Sequence, residues 1–385
     1  MSASLNPIEK TYRRLKAMGK NPIKLFVGNP TLHGIHFPPK ELQEAYRHAL
    51  EDPCYRPQAK GSSTARSAVS QYYLERGCSV DSEQILLSSG TSESFFLLFR
   101  ALGKPGDHFL APQPAYPLFD HLADLARVKL KPYGLHSHRE WDFSLKELHS
   151  LVDERTKGIL LISPHNPTGS IFSEAQLRGL ADLCREYSLP LICDEVFSEF
   201  TWGPEPYPRP MKFKEFPLVF TLNGISKMLA LPGHKLAWIA ATGEDPRLEQ
   251  ILDHLETHGD TLLSCNQLIQ NALPQLMGVA DPFISAYRRK VGQRRDLALS
   301  LLRGQKHLRF HEPQGGFYMM VEHLEPGRLG EEEWVIALME KTGVFVHPGY
   351  FFDYGPGVHF IFSFLTEPEI LEASLKQLID FRAPE

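Results

Sequence analysis

A lysine that follows a serine at the end of an apolar, β-prone run is placed to act as a nucleophile, and Lys227 stands in that position. The run Leu218-Val219-Phe220-Thr221 leads into Leu222-Asn223-Gly224-Ile225-Ser226-Lys227, with Leu231-Pro232-Gly233 behind it and a second lysine, Lys235, further on. Three stretches upstream share the form of an apolar run ending in polar residues. In Ser88-Ser89-Gly90-Thr91-Ser92-Glu93 a strand runs through glycine into a helix whose first N–H groups are free, and backbone donors with hydroxyls at a helix start can hold a phosphate. The stretch lacks the G-x-x-x-x-G-K-[ST] spacing, and an ordinary capped helix would use the same residues. In Ser163-Pro164-His165-Asn166-Pro167-Thr168-Gly169 a side-chain amide is fixed between two prolines, which aims it at a ligand or simply makes a turn. Asp194-Glu195 follows Leu191-Ile192-Cys193, and a carboxylate at the end of a buried strand needs a cationic or donor partner, such as a protonated ring nitrogen. Taken singly, Lys227 reads more readily as a solvated loop lysine, and Asp194 has a plain alternative as a cap on the next turn; it is the four stretches in combination that point to a site.

The elements that would bring them together are legible in the apolar pattern. From Gln84 to Ala241 short apolar runs alternate with amphipathic helical stretches. The runs are Ile85 to Leu87, His108 to Leu110, Val128 to Leu130, Gly158 to Ile162, Pro190 to Cys193, Leu218 to Leu222 and Leu236 to Ala240; the helices include Ser92 to Leu102, Leu118 to Ala126, Leu145 to Val152 and Glu174 to Tyr187. This alternation predicts an α/β domain of three layers, with a mostly parallel seven-stranded sheet between helices and ligands gathered at the carboxyl ends of the strands. The chain before it, punctuated by Asn21-Pro22, Gly28-Asn29-Pro30 and Pro38-Pro39, reads as an arm. Beyond Asp245 helices dominate to about Leu302, and Gly316 to Val321, Val344 to His347 and His359 to Phe364 read as strands of a small α+β domain. The expected division is an arm and part of the small domain over 1–44, a large domain over 45–277 and a small C-terminal domain over 278–385.

Bulk properties exclude other classes. The 385 residues are 42% hydrophobic and 23% charged with a net charge of −5, which gives no broad basic surface for nucleic acid or anionic membrane. The five cysteines include no CxxC pair and read as free thiols in a reducing compartment. No metal site is expected. No apolar run approaches the length of a membrane span and the first residues do not form a leader pattern, so the expected location is cytoplasmic.

The four stretches, in this order and spacing, resemble the fold type I pyridoxal-phosphate enzymes, specifically the class I/II aminotransferase family. The resemblance covers essentially the whole chain and extends to Tyr55 with Gly61 and Arg66, Pro114-Ala115-Tyr116-Pro117, Pro232-Gly233, Gly315-Gly316-Phe317-Tyr318 and Pro348-Gly349-Tyr350-Phe351. It implies pyridoxal 5'-phosphate as cofactor. Lys227 would form the internal Schiff base and move the Cα proton, Asp194 would pair with the pyridinium nitrogen, Asn166 would donate to the phenolic oxygen, and Tyr116 would lie against the ring face. Gly90, Thr91, Ser92, Ser226 and Lys235 would hold the phosphate. Tyr55 matches a tyrosine that family members extend to the phosphate of the other subunit, which implies a homodimer with shared sites.

Three departures stand against the family pattern. The serine or threonine three before the lysine is Gly224, and the phosphate-binding arginine is Lys235, which brings charge without the bidentate fork. The tyrosine three after the aspartate is Phe197, so the phenolic oxygen loses a donor. An arginine that grips the substrate carboxylate in the last strand is Ile361, with Arg13, Arg14, Arg56, Lys60 and His359 as candidate replacements. The resemblance implies an aminotransferase moving an amino group between an amino donor and a 2-oxo acid. A pyridoxal-phosphate lyase acting by β-elimination and a non-catalytic cofactor-binding homologue are the alternatives, since one scaffold serves all three.

Overall fold

The computed structural model describes residues 5–52, 54–203, 207–263, 265–355 and 357–383. Seven strands form the large sheet: β1 (Ile85–Ser88), β2 (His108–Gln113), β3 (Lys129–Gly134), β4 (Thr156–Ile162), β5 (Leu191–Asp194), β6 (Leu218–Gly224) and β7 (Ala237–Gly243). Their order is β1-β7-β6-β5-β4-β2-β3. β7 is antiparallel to both of its neighbours, while the pairings from β6 to β3 are parallel. Each of the seven apolar runs in the sequence is thus a strand of this sheet, and the edge strand β3 tolerates Pro132 because an outer edge need not donate every N–H.

Alternation along the strands builds the layers. Leu218, Phe220 and Leu222 of β6 join one core with Phe95 and Phe99 of the helix Thr91–Leu102 and Leu255 of the helix Leu248–Leu262. Val219, between them, points to the other face and packs with Leu180 and Cys184 of the helix Glu174–Glu186. On β7, Trp238 and Ala240 face that side, against the helices Ser63–Glu75 and Gln267–Gly278. The arrangement is the three-layer α/β architecture that the sequence pattern implies.

The 23-residue helix Ala280–Leu302 leads into a second sheet of β8 (Leu308–Phe310), β9 (Tyr318–His323), β10 (His347–Pro348) and β11 (Val358–Ser363), in the order β10-β11-β9-β8 with every pair antiparallel. The helices Glu331–Thr342 and Pro368–Asp380 cover it. Ile8, Leu15 and Leu25 of the arm share the core of this sheet, so the two ends of the chain fold together. Cys78, Cys184, Cys193 and Cys265 are buried free thiols and Cys54 is exposed. Among the described residues no helix is long and apolar enough to cross a membrane, and no cluster of three or more His, Cys, Asp or Glu is placed to hold a metal.

Candidate active site

The carboxyl ends of β1, β4, β5 and β6 converge on a cavity of about 170 Å³. Its lining includes Thr91, Ser92, Tyr116, Asn166, Asp194, Phe197, Ser226 and Lys227, eight of the eleven residues singled out in the sequence. Gly90 is the residue from which the helix Thr91–Leu102 starts, and Lys235 reaches it: the ammonium lies 3.4 Å from where a Cβ on Gly90 would stand. Lys235 holds a left-handed backbone, φ 55°, just before β7. Tyr55 lies apart from the cavity, with 65% of its surface exposed.

The reactive-group geometry follows from the strand ends. β6 closes at Gly224, and the single helical turn Ile225–Met228 carries Ser226 and Lys227. Gly224 has a packing cause: a Cβ there would come within 2.8 Å of the Leu236 carbonyl oxygen on the entry to β7. Lys227 Nζ donates to the Gly28 carbonyl oxygen at 2.7 Å. Burial lowers the Lys227 pKa to about 8, with Asp194 pulling it back up. Asp194, at the end of β5, has a pKa pushed up to about 7, first by burial; the Val196 N–H that it accepts at 3.0 Å opposes this, Glu195 adds to it, and Lys227 opposes it.

Behind the carboxylate lies a buried ionic network that fixes the ends of β5 and β6. Arg209 pairs with Glu195 at 2.6 Å and with Glu199 at 3.3 Å, and Arg76 reaches Glu199 at 2.7 Å. The Tyr72 hydroxyl donates to Glu199 at 2.6 Å, while Asn223 Nδ2 donates to Glu195 at 3.4 Å and to the Ser198 hydroxyl at 3.3 Å. Arg209 and Asn223 both reach Oε1 of Glu195, which has zero exposure, and removing the arginine would leave an uncompensated charge.

Two participants lie outside the sequence expectations for the site: the Gly28 carbonyl and the Tyr318 side chain, which lines the cavity at the start of β9. Both are brought in by the arm and the small domain. Their only signals in the sequence were the turn Gly28-Asn29-Pro30 and the stretch Gly315-Gly316-Phe317-Tyr318. Arg13, Arg14, Arg56, Lys60 and His359 do not line the cavity.

The donor set has a definite chemical complement. A helix start with Thr91, Ser92, Ser226 and Lys235 suits an anionic group. The buried Asp194 carboxyl calls for a cationic N–H donor, and Asn166 Oδ1 is buried with no hydrogen-bond partner among the described residues. A planar ring bearing a phosphate arm, a basic nitrogen and an electrophilic carbon suits the helix start, the Asp194 carboxyl and Lys227, while the Asn166 Oδ1 acceptor calls for a donor of its own.

A family model described as aminotransferase class I and II matches residues 20–373. The chain is 28% identical over 307 residues to tyrosine aminotransferase of Dictyostelium discoideum, covering 77% of this chain and 73% of that one. It is 26% identical over 382 residues to the glutamate-pyruvate aminotransferase AlaA of Escherichia coli strain K12, covering 97% and 94%. Among solved structures, an alanine aminotransferase from Pyrococcus furiosus superposes with a TM-score of 0.91 at 25% identity over 97% of this chain and 95% of its own.

Proposed function

Since this chain belongs to the class I and II aminotransferase family, we propose that it is a pyridoxal-phosphate-dependent aminotransferase that passes an amino group from an amino donor to a carbonyl acceptor, with Lys227 as the residue that anchors the cofactor. Pyridoxal phosphate, when bound, supplies an electrophilic carbon for amines and a ring that takes up electron density released at the substrate carbon. The reading is carried by one observation: the Lys227 amine and the buried Asp194 carboxylate share a cavity whose rim is a phosphate-suited helix start.

Thr91, Ser92, the Ser226 hydroxyl and the Lys235 ammonium bind the phosphate. Asp194 orients the ring by accepting from its nitrogen, and a cation there reverses the burial effect that now favours the neutral acid. The Asn166 amide would donate to the ring oxygen, and Tyr116 would cover one ring face. Lys227, with a pKa near 8, is unprotonated in roughly a tenth of molecules at pH 7 and so can both attack a carbonyl carbon and carry a proton from the substrate carbon. Tyr55 is supplied from a second copy of the chain, which makes the active assembly a homodimer.

The test is a single incubation with amino donor and no acceptor. Loss of the yellow colour with recovery of pyridoxamine phosphate supports transamination, whereas release of pyruvate and ammonia with the colour kept marks a β-eliminating lyase. Absence of any change over a broad donor panel would favour a binding protein.

A further inference from the structure

The cavity offers a substrate little positive charge. Among its described lining residues Lys227 is the only cation, and Lys235 stands at the helix start beside Gly90. Tyr318 is the residue of this sheet that lines the cavity; behind it, on β9 and β11, Met320 lies opposite Ile361 and Tyr318 opposite Ser363. Residues two apart on a strand share a face, so Tyr318, Ser363, Met320 and Ile361 present one surface, with the Ser363 hydroxyl turned to the Leu365 N–H. Met320 and Ile361 are 2% and 0% exposed and belong to one apolar cluster with Leu110 and Tyr133 of the large domain. The cross-strand neighbour of Ile361 on β10, His347, is a neutral imidazole: burial brings its pKa to about 3, and its ring stacks on Phe26 at 3.6 Å and meets Phe351 edge-on.

Within one copy of the chain, the cations that could have compensated are paired with carboxylates. Arg13 pairs with Glu9, Arg14 with Glu340, Arg56 with Asp52 and Lys60 with Glu256. His359 is buried between Glu322 and Glu331, and burial lowers its pKa to about 4. A carboxylate on the amine-bearing carbon of a substrate would therefore leave water for a wall with neutral donors, the Asn166 amide and the Tyr318 hydroxyl, and no counter-charge beyond the lysine already committed to the chemistry. Desolvating an ion in that way costs more than one neutral hydrogen bond returns.

We infer that the amine accepted here has no carboxylate on its amine-bearing carbon: it is a primary amine with an apolar substituent, and its carbonyl partner is an aldehyde or ketone of the same kind. The inference rests on the aminotransferase reading above and narrows its substrate class. The overall exchange balances without an oxidant, since the amine gives up its NH2 group and one hydrogen of the amine-bearing carbon for a carbonyl oxygen while its partner does the reverse.

Two stable conjugates, N-(5'-phosphopyridoxyl)-2-phenylethylamine and N-(5'-phosphopyridoxyl)-phenylalanine, differ only in the carboxylate. Equilibrium binding of each to the full-length apoprotein, measured by calorimetry, is expected to favour the amine conjugate by about tenfold or more. A folded Ile361→Arg variant is expected to reverse the preference, and the wild-type comparison stands if that variant does not fold. Equal or tighter binding of the phenylalanine conjugate by the wild type would overturn the inference while leaving the cofactor reading intact; its loss on Arg56→Ala would then place the counter-charge on a second copy. Retention of the wild-type preference by folded Ile361→Arg would also overturn it, as would failure of both conjugates when pyridoxal phosphate itself binds. Failure of all three would overturn the cofactor reading and the inference together.

Discussion

Lys227 Nζ and the Gly28 carbonyl oxygen are 2.7 Å apart across a separation of 199 positions, so the lysine turn at the end of β6 is closed over by the N-terminal arm. The same glycine touches the small domain, since a Cβ on Gly28 would stand 1.7 Å from the Tyr318 hydroxyl oxygen. The arm thus joins the reactive lysine to Tyr318 of the small domain. A Gly28→Ala substitution must displace Tyr318 or the arm. The expected outcome is a fall in kcat/KM of about tenfold or more with a loss of about 1–3 kcal/mol in stability, read by steady-state kinetics and chemical denaturation. Unchanged kinetics would mean that the arm does not hold Tyr318 against the site.

Borohydride reduction of the yellow protein should fix a pyridoxyl group to the peptide containing Lys227, because that amine lines the cavity and has its pKa lowered to about 8. Lys227→Ala should fold, bind the cofactor reversibly and lose at least about 10³-fold in turnover. Label on Lys235 would exchange the roles of the two lysines.

The apoprotein should show a pH-dependent cost at Asp194. Its pKa is about 7 in the folded chain against an ordinary value of 3.8, so the folded state holds more protons than the unfolded state between those values. Stability from this group is therefore full below about pH 4 and declines as pH rises through 7. Asp194→Asn should be nearly neutral for the apoprotein at pH 4 and stabilise it above pH 7, by at most about 4 kcal/mol. In the holoprotein the order should invert, because the ionised aspartate then faces a cation. Thermal melts of apo and holo forms at pH 4.5 and 8 check both statements, and a variant equally destabilised at both pH values without cofactor would contradict the first.

Tyr55 is 65% exposed and does not line the cavity, so its proposed role at a phosphate requires a second copy of the chain. Tyr55→Phe should weaken cofactor binding by about tenfold without changing the oligomeric state. A sedimenting monomer with full cofactor occupancy would remove the reason for the residue.

The parts of the fold that come from local pattern were legible in the sequence, and the parts made by long-range docking were not. Leu218-Val219-Phe220 and Leu191-Ile192-Cys193 announce buried strands, and the residues that follow them, Lys227 and Asp194, fall in the cavity because strand ends in such a sheet open on one edge. The reversed direction of β7 was hidden, since Leu236 to Ala240 is as apolar as any parallel strand. Gly28 and Tyr318 escaped notice as site residues for a different reason: their approach to Lys227 depends on the arm and small domain folding back on the large sheet, which no local spacing encodes. Ile361 was legible only as a missing charge; the register with Met320 explains what stands there instead.

Phe197 lines the cavity with its ring edge-on to Phe317, centroids 4.9 Å apart, and to Tyr318 at 6.1 Å. It carries no hydroxyl, so in the proposed reading Asn166 would be left as the side-chain donor toward the ring oxygen of the cofactor. With the cofactor attached to Lys227, the protonated linkage nitrogen is stabilised by the same oxygen, so an external donor competes with it. A tyrosine at 197 would be such a donor, would satisfy the oxygen independently and would make the nitrogen easier to deprotonate. The charged form is the cation, and removing its competitor raises its pKa. The visible band should therefore titrate at higher pH in the wild type than in Phe197→Tyr, by a margin on the order of one pH unit, the equivalent of one hydrogen bond at about 1.4 kcal/mol. Spectroscopic titration of the two proteins side by side decides it. A midpoint that is equal, or higher in the tyrosine variant, would mean that position 197 faces the aromatic wall of Phe317 and Tyr318 alone and that the ring oxygen lies elsewhere.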